Sequence, residues 1–331
     1  MLFSVIGTFR LARYCNRLAP RHSTSGVVRG FWCITTVLSL ALLAVPAGAA
    51  PLPVSVSIHP VALLVQAVGG EAVAVSTLLP PGASPHGFEP APTQVRRLAD
   101  ARLLVTVGGG LDPWAERLAR AVPGQLPRLV LMDAVADHAD HADHADHADH
   151  ADHDTDAHAH HGPDPHLWLD PVLVRERLVP ALAEALAAVD PGAADAYRQR
   201  AAAFAARLSR LDAEIKPVLA QLDGLAFVAF HGPWGRFAAR YGLRQVAVVE
   251  PAPGREPSAR WMAHVVDEAR REGARVVVIE PQFSPRVART IAAQFDGVVV
   301  TADPIGAPDR GASYEDLMRH IVHSFQQAAE R

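Results

Sequence analysis

Four side chains in this sequence stand where side chains of parallel α/β proteins do chemistry. His86 lies in Gly82-Ala83-Ser84-Pro85-His86-Gly87-Phe88-Glu89-Pro90, and His166 in Asp164-Pro165-His166-Leu167-Trp168-Leu169-Asp170-Pro171. His231 lies in His231-Gly232-Pro233-Trp234-Gly235, and Asp303 in Asp303-Pro304-Ile305-Gly306. Three of them, His86, His231 and Asp303, follow apolar runs that read as strands, and ligands of open α/β sheets bind beyond the carboxyl ends of strands. Three imidazoles and one carboxylate make a four-coordinate N₃O set, which suits zinc. A lone histidine at a strand end is ordinarily a hydrogen-bonded loop residue, so the reading rests on the joint placement of the four. His59, beside Pro60 at another strand end, is a reserve candidate; His264, His320 and His323 fall on predicted helices and read as surface or packing residues.

Beside them stands a second set of histidines. An Ala-Asp-His repeat places His138, His141, His144, His147, His150 and His153 at every third position, and His158, His160 and His161 follow before Gly-Pro-Asp-Pro. A period of three drifts around a helix rather than forming one stripe, aspartate disfavours helix interiors, and the stretch has no large apolar residue to bury. It therefore reads as a loop from about 136 to 163. Each neutral imidazole offers a nitrogen near pH 7 and each aspartate adds charge that attracts a cation, so the composition suits weak capture of several metal ions. A solubilising spacer is the bland alternative.

The elements that must hold these residues alternate. Val54 to Ile58 reads as a strand, Val61 to Val68 as a helix closed by Gly69-Gly70, and Val73 to Leu79 as a strand stopped by Pro80-Pro81-Gly82. Thr93 to Ala101 is helical and Leu103 to Val107 is a strand. Gly108-Gly109-Gly110 after it lacks the G-x-G-x-x-G spacing of a dinucleotide loop and reads as a tight turn. Val172 to Val189 and Ala193 to about Leu222 are long helical patterns broken at Asp190-Pro191-Gly192, with Pro217 placed to kink the second. Strands then return at 226–230, 245–249, 275–279 and 298–301, with helices over 258–272, 285–295 and from Tyr314 onward. The sum is α/β: two Rossmann-like lobes, about 50–190 and 223–331, joined by one long helix over 191–222, with the metal site in the cleft between them. One helical connector resists hinge bending more than several flexible strands.

Composition sets the compartment. The chain has 331 residues and a formal net charge of -4 with both signs dispersed, which argues against a nucleic-acid footprint. Arg21 and Arg29 precede an apolar run from about Phe31 to Val45, then Pro46 and Ala47-Gly48-Ala49. That is a secretory signal over 1–49 with cleavage near Ala49 or Ala50, since the run falls short of the roughly 20 residues a spanning helix needs. The length before Arg21 suggests a start codon further in. Both cysteines, Cys15 and Cys33, lie inside this segment, so the mature chain has neither a disulfide nor a lipid-bearing cysteine at the cleavage point.

Taken together, LLPPGASPHGFEPAP, DPHLWLDP, FHGPWGRFAARYGL, VVVIEPQFSP and TADPIG with the later SYEDLM, in this order, resemble the cluster A-I (cluster 9) metal-binding proteins of ABC importers, and within them the ZnuA-like zinc-binding proteins. The likeness runs over nearly all of the mature chain. It implies that His86, His166 and His231 are metal ligands, with Asp303 a fourth, and that Glu280 supports the site. Some relatives carry an acidic residue just before the first histidine, where this chain has Pro85. Manganese carriers of the family have a carboxylate in the place of His231, so imidazole there implies zinc. The His-rich stretch before His166 matches a loop that ZnuA-like proteins insert. The implied protein is a periplasmic, monomeric, non-enzymatic carrier of Zn²⁺ for a membrane permease with its cytoplasmic ATPase. Three readings stay beside it: a manganese or iron carrier, a chaperone or adhesin using the same fold, and a hydrolase whose zinc keeps an open position for water.

Overall fold

Of the four central strands, Ala226–Ala229 and Val276–Ile279 are apolar throughout and Leu103–Thr106 nearly so, the pattern of strands covered on both faces, while Leu52–Val56 interposes Pro53 and Ser55. A computed structural model describes residues 50–136, 163–251, 257–308 and 312–329. The expected signal and all but the rims of the His-rich stretch, including its nine histidines, lie outside these residues. Ala49–Arg331 form one unit. Its first sheet holds β1 (Leu52–Val56), β2 (Val73–Thr77), β3 (Leu103–Thr106) and β4 (Arg128–Val130) in the order β2-β1-β3-β4, all parallel. The second holds β5 (Ala226–Ala229), β6 (Arg244–Val248), β7 (Val276–Ile279) and β8 (Val298–Thr301) in the order β6-β5-β7-β8, again parallel. In both sheets the chain reverses its direction of build between the two central strands, which is where such sheets open a binding crevice.

Helices cover the faces. The first half contributes α1 (His59–Gly69), α2 (Pro92–Ala99), α3 (Pro113–Ala121) and α4 (Asp133–Ala136). After the His-rich stretch come α5 (Pro171–Leu173), a wider turn over Val174–Leu178, α6 (Val179–Val189) and α7 (Ala194–Leu219). The second half contributes α8 (Gly235–Tyr241), α9 (Ala259–Arg271), α10 (Pro285–Ala292) and α11 (Tyr314–Ala329). Among the described residues no helix is long and apolar enough to cross a membrane.

The long helix is α7. Its 26 residues span about 39 Å at 1.5 Å per residue. Tyr197, Ala201, Phe204, Leu208, Leu211, Ile215 and Leu219 bury one face at steps of three and four. That face meets α1 and α6 of the first lobe and α11 of the second, so one continuous core runs between the two sheets. A second apolar cluster covers the other face of the β5–β8 sheet, built on Val228, Val265, Val277 and Ile291. The outcome is two α/β lobes joined by one long helix.

Four elements absent from the sequence reading are α3, β4, α4 and α8. Each is short or marginal: β4 has three residues at a sheet edge and α8 has seven. The glycine run after β3 is the tight turn expected, with φ of 82°, 58° and 80° at Gly108, Gly109 and Gly110. Gly109 holds a left-handed backbone that L side chains rarely adopt, and a Cβ there would also stand 3.2 Å from Pro165 Cβ, in the segment that carries His166.

Candidate metal centre

His86, His166 and His231 converge from separate parts of the chain. Their ring centroids are 5.7 Å (86 to 166), 4.8 Å (86 to 231) and 5.5 Å (166 to 231) apart. One ligand nitrogen from each lies within 4.8 Å of the others, and among the described residues this is the group that meets that limit. The loop after β2 supplies His86. It is pinned by the indole N–H of Trp114, which donates to the Pro85 carbonyl at 2.8 Å, and by Phe88 packed edge-on to the same indole at 4.8 Å. Trp114 in turn lies in the first turn of α3, whose preceding residue Asp112 accepts from the Val107 and Gly108 amides at 2.7 and 2.9 Å and so fixes the turn beyond β3. Burial pushes the Asp112 carboxyl up, against those hydrogen bonds.

His166 belongs to the segment between the His-rich stretch and α5. Asp164 folds back on it: one carboxylate oxygen accepts from the His166 backbone amide at 2.9 Å and from its Nδ1 at 2.7 Å. A carboxylate only accepts, so the proton sits on Nδ1 and the lone pair on Nε2. Burial holds the His166 imidazole below its ordinary value, an effect Asp164 opposes without overcoming. Asp164 is also buried, which raises its carboxyl, but its bonds with His166 and the charge of Arg236 bring it below the usual range. Arg236 of α8 reaches across from the second lobe and donates twice to the Asp164 carbonyl, at 2.9 and 2.7 Å. Nearby, Arg240 grips both oxygens of Asp170 at 3.0 Å, while Asp170 caps the amides of Val172 and Leu173.

His231 follows β5 and Glu280 follows the adjacent β7, at the point where the second sheet reverses. His231 Nδ1 is 3.0 Å from Glu280 Oε1, and Gln282 Nε2 donates to the other carboxylate oxygen at 2.5 Å. The space bounded by His166, His231, Glu280, Trp168 and Pro304 is only about 10 Å³, on the order of one water.

Asp303, the expected fourth ligand, is not among the side chains whose ligand atoms lie within 4.8 Å of one another. Its carboxylate accepts from the Ile305 and Gly306 amides at 3.1 and 2.9 Å, a turn that the Asp-Pro sequence favours. It lines a separate cavity with His59. Burial lowers the pKa of His59, and the negative charge of Asp303 opposes that. His264, His320 and His323 are exposed on helices, as read. The sequence reading passed over Asp164, Asp170, Arg236 and Arg240 as individual residues. The only trace of the first was its place two residues before His166, the spacing of an Asx turn.

Two α/β lobes joined by one helix, with side chains of both meeting at a point buried between them, define a two-lobed solute-binding protein. The profile of the family described as zinc-uptake complex component A periplasmic (ZnuA) matches residues 54–328, and the chain belongs to that family. It is 33% identical over 306 residues to the high-affinity zinc uptake system protein ZnuA of Paracoccus denitrificans, covering 85% of this chain and 93% of the relative. Among solved structures, a ZnuA crystal structure is 30% identical with a TM-score of 0.69, over 84% of this chain and 99% of the other. A ZnuA deletion mutant with zinc bound is likewise 30% identical, with a TM-score of 0.67 over 84% and 98%.

Proposed function

We propose that this protein is the periplasmic zinc-binding component of an ABC importer, exported by a cleaved signal, which captures Zn²⁺ and releases it to a membrane permease driven by an ATPase. His86, His166 and His231 are the ligands, each through one imidazole nitrogen. One observation carries the reading: three imidazoles each bring a ligand nitrogen within 4.8 Å of the others, and two of them, His166 and His231, border a space of the size of a single small ion. Asp164 and Glu280 orient two of the three rings, which keeps the ligand nitrogens unprotonated and leaves little reorganisation for binding. The pocket is far below the roughly 300 Å³ at which organic ligands begin to fit, and this favours cargo over substrate. Both oxygens of Glu280 are engaged, so it is poorly placed to serve as a hydrolase base. Imidazole at all three positions favours zinc over manganese, which prefers oxygen.

Titration of the metal-free protein with Zn²⁺, with bound ions counted by native mass spectrometry, tests the proposal. Ala at His86, His166 or His231 removes the tight step in each case. Asp303→Ala costs far less, because its carboxylate stands outside the group. Tight binding that survives His166→Ala overturns the assignment.

A further inference from the structure

A second gathering of metal-binding side chains lies outside the proposed zinc centre. A cavity of about 250 Å³ is bounded by His59, Asp303, His320 and His323, with Thr301 and Gln327 on its wall. The four come from three elements: His59 opens α1 in the first lobe, Asp303 follows β8, and His320 and His323 stand one turn apart on α11. Residues three apart on a helix share a face, so both α11 imidazoles line the same wall. The Gly306 backbone packs against His59, where a Cβ would stand 3.7 Å from the ring and 3.0 Å from Leu317. That contact keeps the first-lobe ring beside the loop that carries Asp303.

The donor chemistry is that of a borderline divalent cation. His320 Nδ1 is 2.7 Å from the Asp316 carbonyl of its own helix; a carbonyl only accepts, so Nδ1 carries the proton and Nε2 keeps its lone pair. His323 Nε2 meets the Gln327 amide nitrogen at 2.9 Å, an exposed contact that a cation can replace. Imidazole nitrogens with one carboxylate suit Zn²⁺ and neighbouring transition ions rather than Ca²⁺ or Mg²⁺.

We infer that this cavity is a second, weaker Zn²⁺ site, held by His59, Asp303 and His320 with His323 beside them. Among the described residues only His86, His166 and His231 bring three ligand atoms within 4.8 Å, so the second site closes on the ion as the exposed α11 imidazoles rotate toward it. The cavity has space for an ion that retains water, and ligand reorganisation makes the site weaker than the preformed centre. Its place has a consequence. Asp303 belongs to the same loop as Pro304 and Ile305, which border the central pocket, and the Trp168 indole donates to the Pro304 carbonyl at 2.7 Å. The inference rests on the proposed function only for the choice of Zn²⁺ as the ion.

The test uses the chain with Asp137–His161 removed, so that the His-rich stretch adds no equivalents, with folding checked by its melting transition. Zn²⁺ titration with ion counting should find one tight and one weaker equivalent. His59→Ala, and separately the pair His320→Ala with His323→Ala, should abolish the weaker equivalent and leave the tight one within about twofold, as expected for separate sites. His86→Ala should do the reverse, and failure of that variant alone counts against the proposed function, not against this site. No weaker equivalent, or one that survives both sets of substitutions, overturns the inference. A second measurement uses the full chain: carbethoxylation with and without excess Zn²⁺, read by peptide mass spectrometry. His320 and His323 should be protected while His264, exposed on α9, reacts equally in both; equal reaction of all three is evidence against the site.

Discussion

His231 Nδ1, at the end of β5, stands 3.0 Å from Oε1 of Glu280, at the end of the neighbouring strand β7. Glu280 is 2% exposed, and a carboxylate so buried persists only when paired. Its partner is a ring whose other nitrogen is thereby left to bind metal. Glu280→Gln preserves the shape and an acceptor but removes the charge that strengthens the imidazole as a donor to metal. We expect a loss of about 10- to 100-fold in Zn²⁺ affinity. Glu280→Ala also leaves the His231 N–H without its acceptor, adding about 1–3 kcal/mol of destabilisation. Chelator competition and thermal melts of the metal-free proteins separate the two effects; unchanged affinity in Glu280→Gln would show that the pair only supports the fold.

The Asp164–His166 pair acts in the same way from the other lobe, with a different anchor. Asp164→Asn replaces an obligatory acceptor by an amide that can flip, so the tautomer of His166 is no longer enforced. Zinc affinity should fall by about 10- to 100-fold with little change in melting temperature. Arg236→Ala removes two donors to the Asp164 carbonyl and loosens the contact between lobes, so it should lower the melting temperature more than Asp164→Asn does and the affinity less. The reverse order in either measurement counts against this division of labour.

How far the sequence disclosed these relations differs by residue. The central strands and the long helix were legible because their apolar runs and their steps of three and four are dictated by burial. His86 and His231 were legible because they follow such strands, and His166 because DPHLWLDP is distinctive. The position of Asp303 at a strand end said nothing about the direction of its side chain, which its own loop amides decide. Arg236 and Arg240 were invisible for a related reason: their partners Asp164 and Asp170 lie about 70 residues away, and pairing at that separation leaves no local pattern.

Acid should empty the proposed sites in order. Burial keeps the folded-state pKa of His166 below that of an unfolded histidine, about 6.5. As pH falls through 6.5 the unfolded chain takes up a proton that the folded chain refuses, so stability of the metal-free protein from this group is present above that pH and is lost toward the lower folded value. The same lowered value means protons compete less for His166 than for a solvated imidazole. Zinc should therefore leave the His-rich stretch first and the His86–His166–His231 centre at lower pH. Metal content after dialysis at stepped pH from 7.5 to 5 checks it, and release of all equivalents together would contradict it.

Removal of Asp137–His161 separates the two uses of histidine in this chain. The three proposed ligands lie outside the deletion, as do Asp164, Glu280 and the strands that position them, so one tight Zn²⁺ equivalent should remain with its affinity unchanged. The equivalents that belong to the repeat should disappear, since nine of the chain's 17 histidines go with it. The removed residues include no large apolar side chain, so the melting temperature of the metal-free protein should move little. Zinc should still raise that temperature in the shortened protein, because an ion that binds only the folded state stabilises it by mass action, by about 2.7 kcal/mol at a free concentration 100 times the dissociation constant. Calorimetric titration and melting of both proteins give the answer. A shortened protein that folds but binds no zinc tightly would make the repeat the principal site and remove the cleft histidines from the role proposed for them.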